Sequence, residues 1–363
     1  MYKENKITQC PILIIQFCGI FNQNSGTHNV NKEHRVPITQ SLCTIKLHNH
    51  RVLRKSTNMK TLKILSFFLF LGQLSVPLFG QERLPIIDMH LHADLPPHEI
   101  HAGEPSPCRP EPCEGESHAT ASHDETLRKT LEIMDRYNIV KAHLSGLNPK
   151  IIAKWVEAAP DRFIAAPFIL QPGQPKAEDL RKKYAEGFYT GMGEIATQLN
   201  GIAPNDPKLE PYFALAEELN LPTLIHTGGI GPYLPGFRSA SGSPLLLEDV
   251  LVRHPKLRLF VENTGYPFLD EMTAMMYQYP QLYGDVSTIT WVIPRTAFYD
   301  YLKALVRAGL GKRLMFGSDQ MRWPEMIEKG IQAIEEADFL TEEQKRDILY
   351  NNAARFLQMD TKK

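Results

Sequence analysis

The sequence predicts an α/β fold and, within that class, a closed (β/α)8 barrel, or TIM barrel. Between Gln81 and Lys363, short apolar segments alternate eight times with amphipathic helical segments. Such alternation is typical of βαβ units around a parallel sheet, and eight units in this length fit a barrel of about 250 residues. A doubly wound open sheet is the competing architecture. The segment HLHADLPP, however, lacks the Gly-rich phosphate turn expected after the first strand of such a sheet.

Composition and charge narrow the class of protein and of partner. The 363 residues include 40 basic and 41 acidic side chains and are 43% hydrophobic, which excludes collagen-like, coiled-coil and wholly disordered proteins. Residues 81–363 carry 30 basic and 39 acidic side chains, and this negative excess argues against nucleic acid as a partner. We therefore expect a small-molecule substrate, and a homo-oligomer is compatible with the sequence.

Two segments at the start of the chain differ from the rest. Residues 1–58 show no sustained helical or strand period, and we interpret them as a doubtful leader, either untranslated or poorly ordered. From Met59, a short cationic stretch and the apolar run ILSFFLFL follow the order of a secretory signal peptide. A membrane anchor is less favoured because the run is shorter than the roughly 20 apolar residues of a span. We expect a signal peptide over 59–80 and export of one domain, 81–363, to the periplasm or outside the cell. Only retention of the signal segment would attach the protein to a membrane.

The elements of the predicted barrel follow in chain order. The strand segments are 85–92, 140–146, 163–170, 190–196, 222–228, 257–265, 281–288 and 313–319. Helical patterns between them include 125–138, 209–220, 267–278 and 297–309. The last pattern, 341–359, predicts a C-terminal helix whose first turn Thr341 can cap.

The connection after the first strand, 93–123, is rich in Pro, Glu, His and Ser and has no period, which predicts a long insertion loop. It leaves the face of the barrel where catalytic groups lie, so a lid or binding loop is expected. Cys108 and Cys113 are the only cysteines beyond the signal segment, and an oxidising compartment favours a local disulfide between them. A zinc site made by these cysteines with His118 and His123 is the alternative, although the spacing matches no standard zinc module.

Ionisable side chains stand at the carboxyl ends of four predicted strands. His90 and His92 lie two residues apart on the first strand, so their side chains point the same way. Glu194, His226 and Asp319 close the fourth, fifth and eighth strands. The carboxyl ends of barrel strands converge, and three imidazoles with two carboxylates suit Zn²⁺ or a similar divalent ion. The sequence therefore predicts that these five residues bind a divalent metal, with Zn²⁺ preferred.

Several of these stretches together resemble one protein family. IDMHLHADLP, GMGEIA, TLIHTG, MFGSDQ and NNAARFL are similar to the amidohydrolase superfamily, in its amidohydrolase-related branch of metal-dependent hydrolases. The resemblance runs from Leu84 to Leu357 and implies a (β/α)8 barrel. It also implies metal ligation by the residues that match its motif: His90, His92, His226 and Asp319. The strand-four position, a carboxylated Lys or a Glu in the family, is Glu194 here, which disfavours a Lys-bridged two-metal site.

The sequence departs from this family on the sixth strand. The family commonly has a His there in a pattern like HxGxP, whereas this chain reads ENTGYP and places Asn263 at that position. Asn can donate a hydrogen bond to a carbonyl but cannot move a proton at neutral pH. Strand alternation is expected to turn the adjacent Glu262 away from the space that Asn263 faces. The substitution therefore weakens the case for a two-metal centre and for decarboxylation.

These features predict a metal-dependent hydrolase that cleaves an amide, ester or lactone bond of a small molecule through a metal-activated water. Asp319 is expected to carry the proton and Asn263 to support the developing oxyanion. One alternative is a non-oxidative decarboxylase of an aromatic or unsaturated acid on the same fold, and another is an exported barrel that binds without turnover. Substrate contacts are predicted for four side chains that follow strands six to eight: Tyr266, Trp291, Arg322 and Trp323.

Overall fold

Eight parallel β-strands alternate with helices in the computed structural model, which describes residues 83–95, 100–111, 117–231 and 234–359. The strands are β1 (Ile86–His92), β2 (Ile139–Gly146), β3 (Phe163–Pro167), β4 (Met192–Ile195), β5 (Thr223–Ile225), β6 (Leu259–Val261), β7 (Leu282–Asp285) and β8 (Leu314–Met315). The main helices are α1 (His123–Arg136), α2 (Pro149–Ala158), α3 (Ala177–Ala185), α4 (Glu210–Glu218), α5 (Glu248–Arg253), α6 (Leu269–Gln278), α7 (Arg295–Arg307) and α8 (Glu325–Glu335). Within the described ranges, no helix is both long and apolar enough to cross a membrane.

The strands pair in chain order, as a (β/α)8 barrel requires. β1 to β3 form one parallel sheet, and β4 to β8 form a second. Individual backbone hydrogen bonds cross the two places where the regular pairing stops. Ile169 N donates to Glu194 O at 2.8 Å beside β4, and Met89 N of β1 donates to Phe316 O at 2.9 Å just after β8. The predicted α/β barrel class is confirmed, although most strands end earlier than predicted.

Apolar residues on both sides of the strands form the core. The larger cluster joins strand residues such as Leu144 and Val261 to helix residues such as Trp155 and Phe298. A second cluster joins Ile87, Met89, Leu224, Phe260 and Met315 of the strands to Ala353, Ala354 and Phe356 at the C-terminus. The C-terminal segment therefore packs directly against the strands and belongs to the core.

The predicted C-terminal helix is present as one continuous run over 342–356 that contains a π-helical turn. α9 (Glu342–Arg346) is followed by one π-helical turn, Asp347–Asn351, and then by α10 (Asn352–Phe356). Thr341 caps α9 through a capping box: Gln344 N donates to Thr341 Oγ1 at 3.2 Å, and Thr341 N donates to Gln344 Oε1 at 2.9 Å. The turn between the helices is tied to the barrel because Phe316 N donates to Ile348 O at 2.8 Å.

The long loop after β1, called here the covering loop, ends at residue 122 because α1 begins at His123. Part of the loop has paired backbone, since Pro105 and His118 form an antiparallel bridge. Ala119 N donates to Glu104 O at 2.8 Å in the same paired region. The two arms of the loop therefore lie side by side. The leader over 1–58 and the signal peptide over 59–80 fall outside the described residues and stay predictions.

Candidate metal centre

The two histidines of β1 form the floor of a buried site at the carboxyl ends of the strands. His90 and His92 are 0% and 3% exposed, and their Nε2 atoms lie 3.2 Å apart. Their spacing of two residues places both imidazoles on the same side of the strand. β1 thus places the Nε2 atoms of two imidazoles next to each other.

The other three predicted ligands reach the same site from β4, β5 and β8. Glu194 Oε2 lies 3.2 Å from His90 Nε2 and 3.4 Å from His92 Nε2. Asp319 Oδ1 lies 2.9 Å from His92 Nε2, and its Oδ2 accepts a hydrogen bond from the Thr288 hydroxyl. The structure therefore brings Glu194 and Asp319 to the paired histidines, and His226 borders the same site through Glu194.

A hydrogen bond to the other ring nitrogen decides which atom each imidazole presents. His90 Nδ1 lies 3.2 Å from Asp285 Oδ2, and a carboxylate can only accept, so this nitrogen carries the proton. His226 Nδ1 lies 2.8 Å from Gln198 Oε1, while Nε2 of that amide donates to Gly228 O at 2.8 Å. His92 Nδ1 lies 3.1 Å from the Ser145 hydroxyl. Partners of this kind fix the tautomer of metal-binding histidines. In the neutral rings of His90 and His226, the acceptors leave the lone pair on Nε2, facing the site, whereas the Ser145 hydroxyl can donate or accept and selects no tautomer for His92.

Glu262 enters the site although the sequence predicted that it would point away. That expectation was wrong because β6 ends at Val261, and the chain then makes a 3-10 turn in which Asn263 and Thr264 have φ values of 52° and 45°. Strand alternation does not apply beyond the strand end. The Glu262 side chain is 5% exposed, and its Oε2 lies 3.3 Å from His226 Nε2. The dipeptide Thr264-Gly265, typical of a turn, is the sequence signal that could have shortened the predicted strand.

Asn263 holds Glu262 in place. Its Nδ2 donates to Glu262 Oε1 at 2.8 Å, and its Oδ1 accepts from Ile289 N at 3.0 Å and from the Ser287 hydroxyl at 3.3 Å. The side chain is 1% exposed. These bonds assign Asn263 to positioning Glu262 and leave the second N–H of the same amide for the predicted oxyanion contact.

The site contains more negative than positive charge, and the pKa values reflect this. Burial alone would lower the pKa of His90, but the carboxylates of Asp319, Asp285 and Glu194 outweigh it and raise that pKa well above the ordinary value. Burial, with Glu194 and Asp319 nearby, raises the pKa of Glu262 well above its ordinary value. The pKa of Asp319 falls to about 2, against the effect of burial, because His90 and His92 favour its anion. A cation at this position would relieve the repulsion among the carboxylates.

The donor set fits a divalent metal ion. Three groups of ligand atoms lie mutually within 4.8 Å: His90, His92 and Glu194; His90, Glu262 and Asp319; and Glu194, His226 and Glu262. Tetrahedral ligand atoms held about 2.0–2.2 Å from one ion lie about 3.3–3.6 Å from their neighbours. The distances that the Nε2 atoms of His90 and His92 make with each other and with oxygens of Glu194 and Asp319 are 2.9–3.7 Å, close to that spacing. In addition, the buried Glu262 Oε2 has no hydrogen-bond partner among the described residues.

A cavity of about 850 Å³ opens above these ligands. Most of its wall is apolar and includes Phe168, Leu199, Ile230 and Val292. The covering loop supplies one side of the wall, where Arg109 is the only Lys or Arg among the described residues that line the cavity. The volume is that of a site for a small organic molecule.

A model of the amidohydrolase family matches residues 87–359. This chain belongs to the amidohydrolase family. Two solved structures have a similar fold. One is an uncharacterised TIM-barrel protein from Bordetella bronchiseptica, 18% identical over 76% of this chain and 99% of that protein, with a TM-score of 0.52. The other is a probable 2-pyrone-4,6-dicarboxylic acid hydrolase from Acinetobacter baumannii, 17% identical over 76% and 100% of the two chains, with a TM-score of 0.53. A search of curated proteins found no match.

Of the four predicted substrate contacts in this amidohydrolase, only Trp323 is among the described residues that line the cavity. Its Nε1 donates to Glu104 O of the covering loop at 2.9 Å. Arg322 also holds that loop, since its guanidinium donates to the carbonyls of Ile100 and Thr120. The charged group of Arg322 therefore holds the backbone of the covering loop.

The other two aromatic residues are partly buried and pack against the core. Trp291 Nε1 donates to Ser318 O at 2.8 Å, and the Tyr266 ring packs edge-on against Tyr301 at 5.0 Å between centroids. Neither is among the described residues that line the cavity. Their predicted role as substrate contacts therefore stays a prediction.

The structure describes only one of the two cysteines of the predicted disulfide. Cys108 is disulfide-bonded and lies on the covering loop of this amidohydrolase. Cys113 falls in the segment 112–116, outside the described residues, so its pairing with Cys108 stays a prediction.

Proposed function

We propose that this amidohydrolase is a metal-dependent hydrolase that cleaves an amide, ester or lactone bond of a small molecule, with Zn²⁺ as the metal. The observation that carries the proposal is the convergence of imidazole Nε2 lone pairs and carboxylates at the base of the cavity. His90, His92, His226 and Glu194 would hold the ion. When bound, the metal lowers the pKa of a water molecule and polarises the scissile carbonyl.

Asp319 is the side chain proposed to move the proton. Thr288 holds its Oδ2, while Oδ1 faces the imidazoles and the side chain borders the cavity. One carboxylate oxygen is thus fixed by a hydroxyl donor, and the other lies beside the imidazoles that would hold the ion. A carboxylate in this position can take a proton from water and return it to the leaving group.

The cavity above the ligands favours a substrate with an apolar body. A substrate that fills the cavity would displace water from the reacting bond, which would strengthen the electrostatic interactions inside the site. Because the covering loop contributes part of this wall, a bound substrate would contact the loop. Among the described residues of the loop, Glu104, Arg109 and Glu111 bring charge to this wall.

Non-oxidative decarboxylation of an aromatic or unsaturated acid is the second candidate. The observation that favours it is Arg109, which lines the cavity and donates from its guanidinium to Gly231 O at 3.3 Å. A guanidinium has five N–H donors and binds carboxylates well. Product analysis separates the two reactions, since decarboxylation releases carbon dioxide without incorporating water. Hydrolysis in ¹⁸O-labelled water, in contrast, places the label in the product acid.

The test of the hydrolase proposal is Asp319→Asn in the metal-loaded protein, assayed against a panel of esters, lactones and N-acyl compounds. We expect kcat to fall about 10²–10⁴-fold with a much smaller change in KM, because the amide cannot accept the proton. Asp338→Asn, at an exposed position after α8, is the control and should keep the parental rate.

Two results would contradict this role. Full recovery of kcat by Asp319→Asn at saturating zinc would show that Asp319 serves only as a ligand. Absence of turnover by the parent protein on the whole panel, with labelled carbon dioxide released from an aromatic acid, would favour the decarboxylase.

A further inference from the structure

We propose that the cavity holds the two parts of the substrate on opposite walls, with an uncharged apolar acyl group on one and the leaving group on the other. The acyl wall, as it is called here, follows β3 to β5 and consists of Phe168, Leu199 and Leu234. The leaving-group wall follows β8 and consists of Met321 and Trp323. The inference rests on the hydrolase function proposed above and deepens it, because it names the substrate class: esters and amides of uncharged apolar acids.

The first observation is that two separate apolar clusters border the cavity. Phe168 and Leu199 are 3% and 7% exposed and belong to one cluster, against which Leu234 packs. Trp323 is 3% exposed and belongs to the other, against which Met321 packs. In a ring of eight strands that pair in chain order, β4 and β8 are four strands apart and lie on opposite sides. The two walls therefore face each other across the site.

The second observation is the place of the proposed proton carrier. Asp319 follows β8, two residues before Met321, and its Oδ1 lies 2.9 Å from His92 Nε2. In hydrolysis the water oxygen bonds to the carbonyl carbon, the bond to the leaving oxygen or nitrogen breaks, and the water proton passes through the base to the leaving atom. The leaving atom must therefore lie within reach of Asp319, on the β8 side. The acyl group, on the other side of the carbonyl carbon, is then directed toward Phe168 and Leu199.

The third observation is that the acyl wall begins beside the predicted ligands. The Phe168 ring packs edge-on against the His92 imidazole, with 5.5 Å between the ring centroids. An acyl group therefore meets apolar surface directly beyond its carbonyl carbon. Transfer of apolar groups from water to such a surface is favourable in proportion to the area buried. Binding should accordingly strengthen as the acyl chain grows.

Charge favours an uncharged acyl group. Among the described lining residues that follow β3 to β5, the only charged side chain is the predicted ligand Glu194. On the covering loop, Glu104 and Glu111 line the cavity together with Arg109, whose guanidinium donates to a backbone carbonyl. A carboxylate on the acyl wall would be buried against apolar side chains, which is costly. The described charges thus do not favour an acyl group that ends in an anion.

The experiment measures kcat/KM of the metal-loaded full chain on nitrophenyl esters that differ only in the acyl group: acetyl, butyryl, hexanoyl and succinyl. Burial of one CH₂ group contributes about fourfold, so we expect a rise of at least about tenfold from acetyl to hexanoyl. Succinyl has as many carbon atoms as butyryl but ends in a carboxylate. We expect its kcat/KM to be lower than that of butyryl by at least about tenfold.

Two variants shorten the acyl wall. Phe168→Ala and Leu234→Ala should each lower kcat/KM for the hexanoyl ester by at least about fivefold, through KM, and change the acetyl ester by less than about twofold. Leu234 is only partly buried, so its variant tests the wall even where Phe168→Ala disturbs the fold. Leu245→Ala, at a side chain 47% exposed and outside the described cavity lining, is the matched control and should keep the parental series. A flat series in an active parent, or a preference for succinyl, would overturn the acyl wall while the hydrolase function stands.

A second series tests which wall holds which part of the substrate. Ethyl acetate and hexyl acetate differ only in the leaving group, and Met321→Ala should lower kcat/KM for hexyl acetate while the acyl series stays parental. An exchange of these effects between Met321→Ala and Phe168→Ala would overturn the assignment. If the parent turns over no ester, protection against thermal unfolding by hexanamide and acetamide is compared. Stronger protection by hexanamide that Leu234→Ala removes would refute the hydrolase but keep the apolar wall, and equal protection would overturn both.

Discussion

At the scale of single residues, the side chains behind the ligands decide the chemistry of the site. Asp285 and Gln198 each accept from the Nδ1 of one histidine, and so direct the Nε2 of His90 and His226 toward the cavity. Asp285 is fully buried and also receives the Asn263 backbone N–H at 2.8 Å. The Asp285 carboxylate thus orients the predicted ligand His90 on β1 and also holds the turn after β6.

The Gln198 contact leads to a prediction about metal affinity. Gln198→Leu keeps a similar volume but removes the acceptor of His226 Nδ1, so the ring can take the wrong tautomer or rotate. We expect total Mn²⁺ or Zn²⁺ affinity to fall by about 10–100-fold, measured by competition with a chelator. Gln332→Leu on the exposed side of α8 is the control. Parental affinity in a folded Gln198→Leu protein would show that the ring orientation does not depend on this bond.

At the scale of elements, the covering loop is a peripheral segment that hydrogen bonds tie to the barrel. Among these bonds are Arg109 N to Val292 O at 2.6 Å and Trp323 Nε1 to Glu104 O at 2.9 Å. The Arg322 guanidinium bonds both arms of the loop, at Ile100 and at Thr120. Such peripheral segments open at a lower free energy than the core.

We predict that Arg322→Ala loosens the loop without emptying the metal site. Two hydrogen bonds from a charged donor are lost, about 1.5–3 kcal/mol each, so cleavage by a protease within 93–122 should accelerate by at least about tenfold. KM should rise because one wall of the cavity becomes mobile, while metal content stays at the parental value. Arg128→Ala, on the exposed face of α1, is the control. Equal protease resistance in Arg322→Ala and the parent would disprove this role of the guanidinium.

The capping box of α9 allows a stability prediction. Thr341→Ala removes the side-chain acceptor of Gln344 N, and losing an N-cap of this kind costs about 1 kcal/mol. The loss should appear in the free energy of unfolding because the C-terminal segment packs against the barrel strands. Urea denaturation measures it, with the exposed Thr296→Ala in α7 as the comparison. An equal effect of the two substitutions would mean that the cap contributes nothing measurable.

At the scale of the whole molecule, the charge distribution separates residues 1–58 from the rest. That segment carries eight basic and two acidic side chains, whereas 81–363 has a negative excess. We propose that the functional protein begins near Gln81 after removal of a signal peptide. Mass spectrometry of the protein from its native host should find an N-terminus close to Gln81 and no peptide from 1–58. Abundant peptides from the leader would refute the proposal.

The barrel and the paired histidines of β1 follow from local patterns in the sequence. Alternating apolar and amphipathic segments predict βαβ units, because each segment must bury its own apolar face. His90 and His92 lie two residues apart on one strand. The side-chain period of two therefore suffices to predict that both imidazoles point to the same side. For the same reason, Thr341 could be recognised as a cap from the four residues of its own turn.

The place where each strand ends was decided only by the tertiary structure. β6 stops at Val261, and the positive φ angles of Asn263 and Thr264 turn Glu262 into the site. Arg322 and Tyr266 follow strands as expected but point to loop carbonyls and to Tyr301. Such directions depend on packing between segments far apart in sequence, whereas the identity and order of the elements depend on each segment alone.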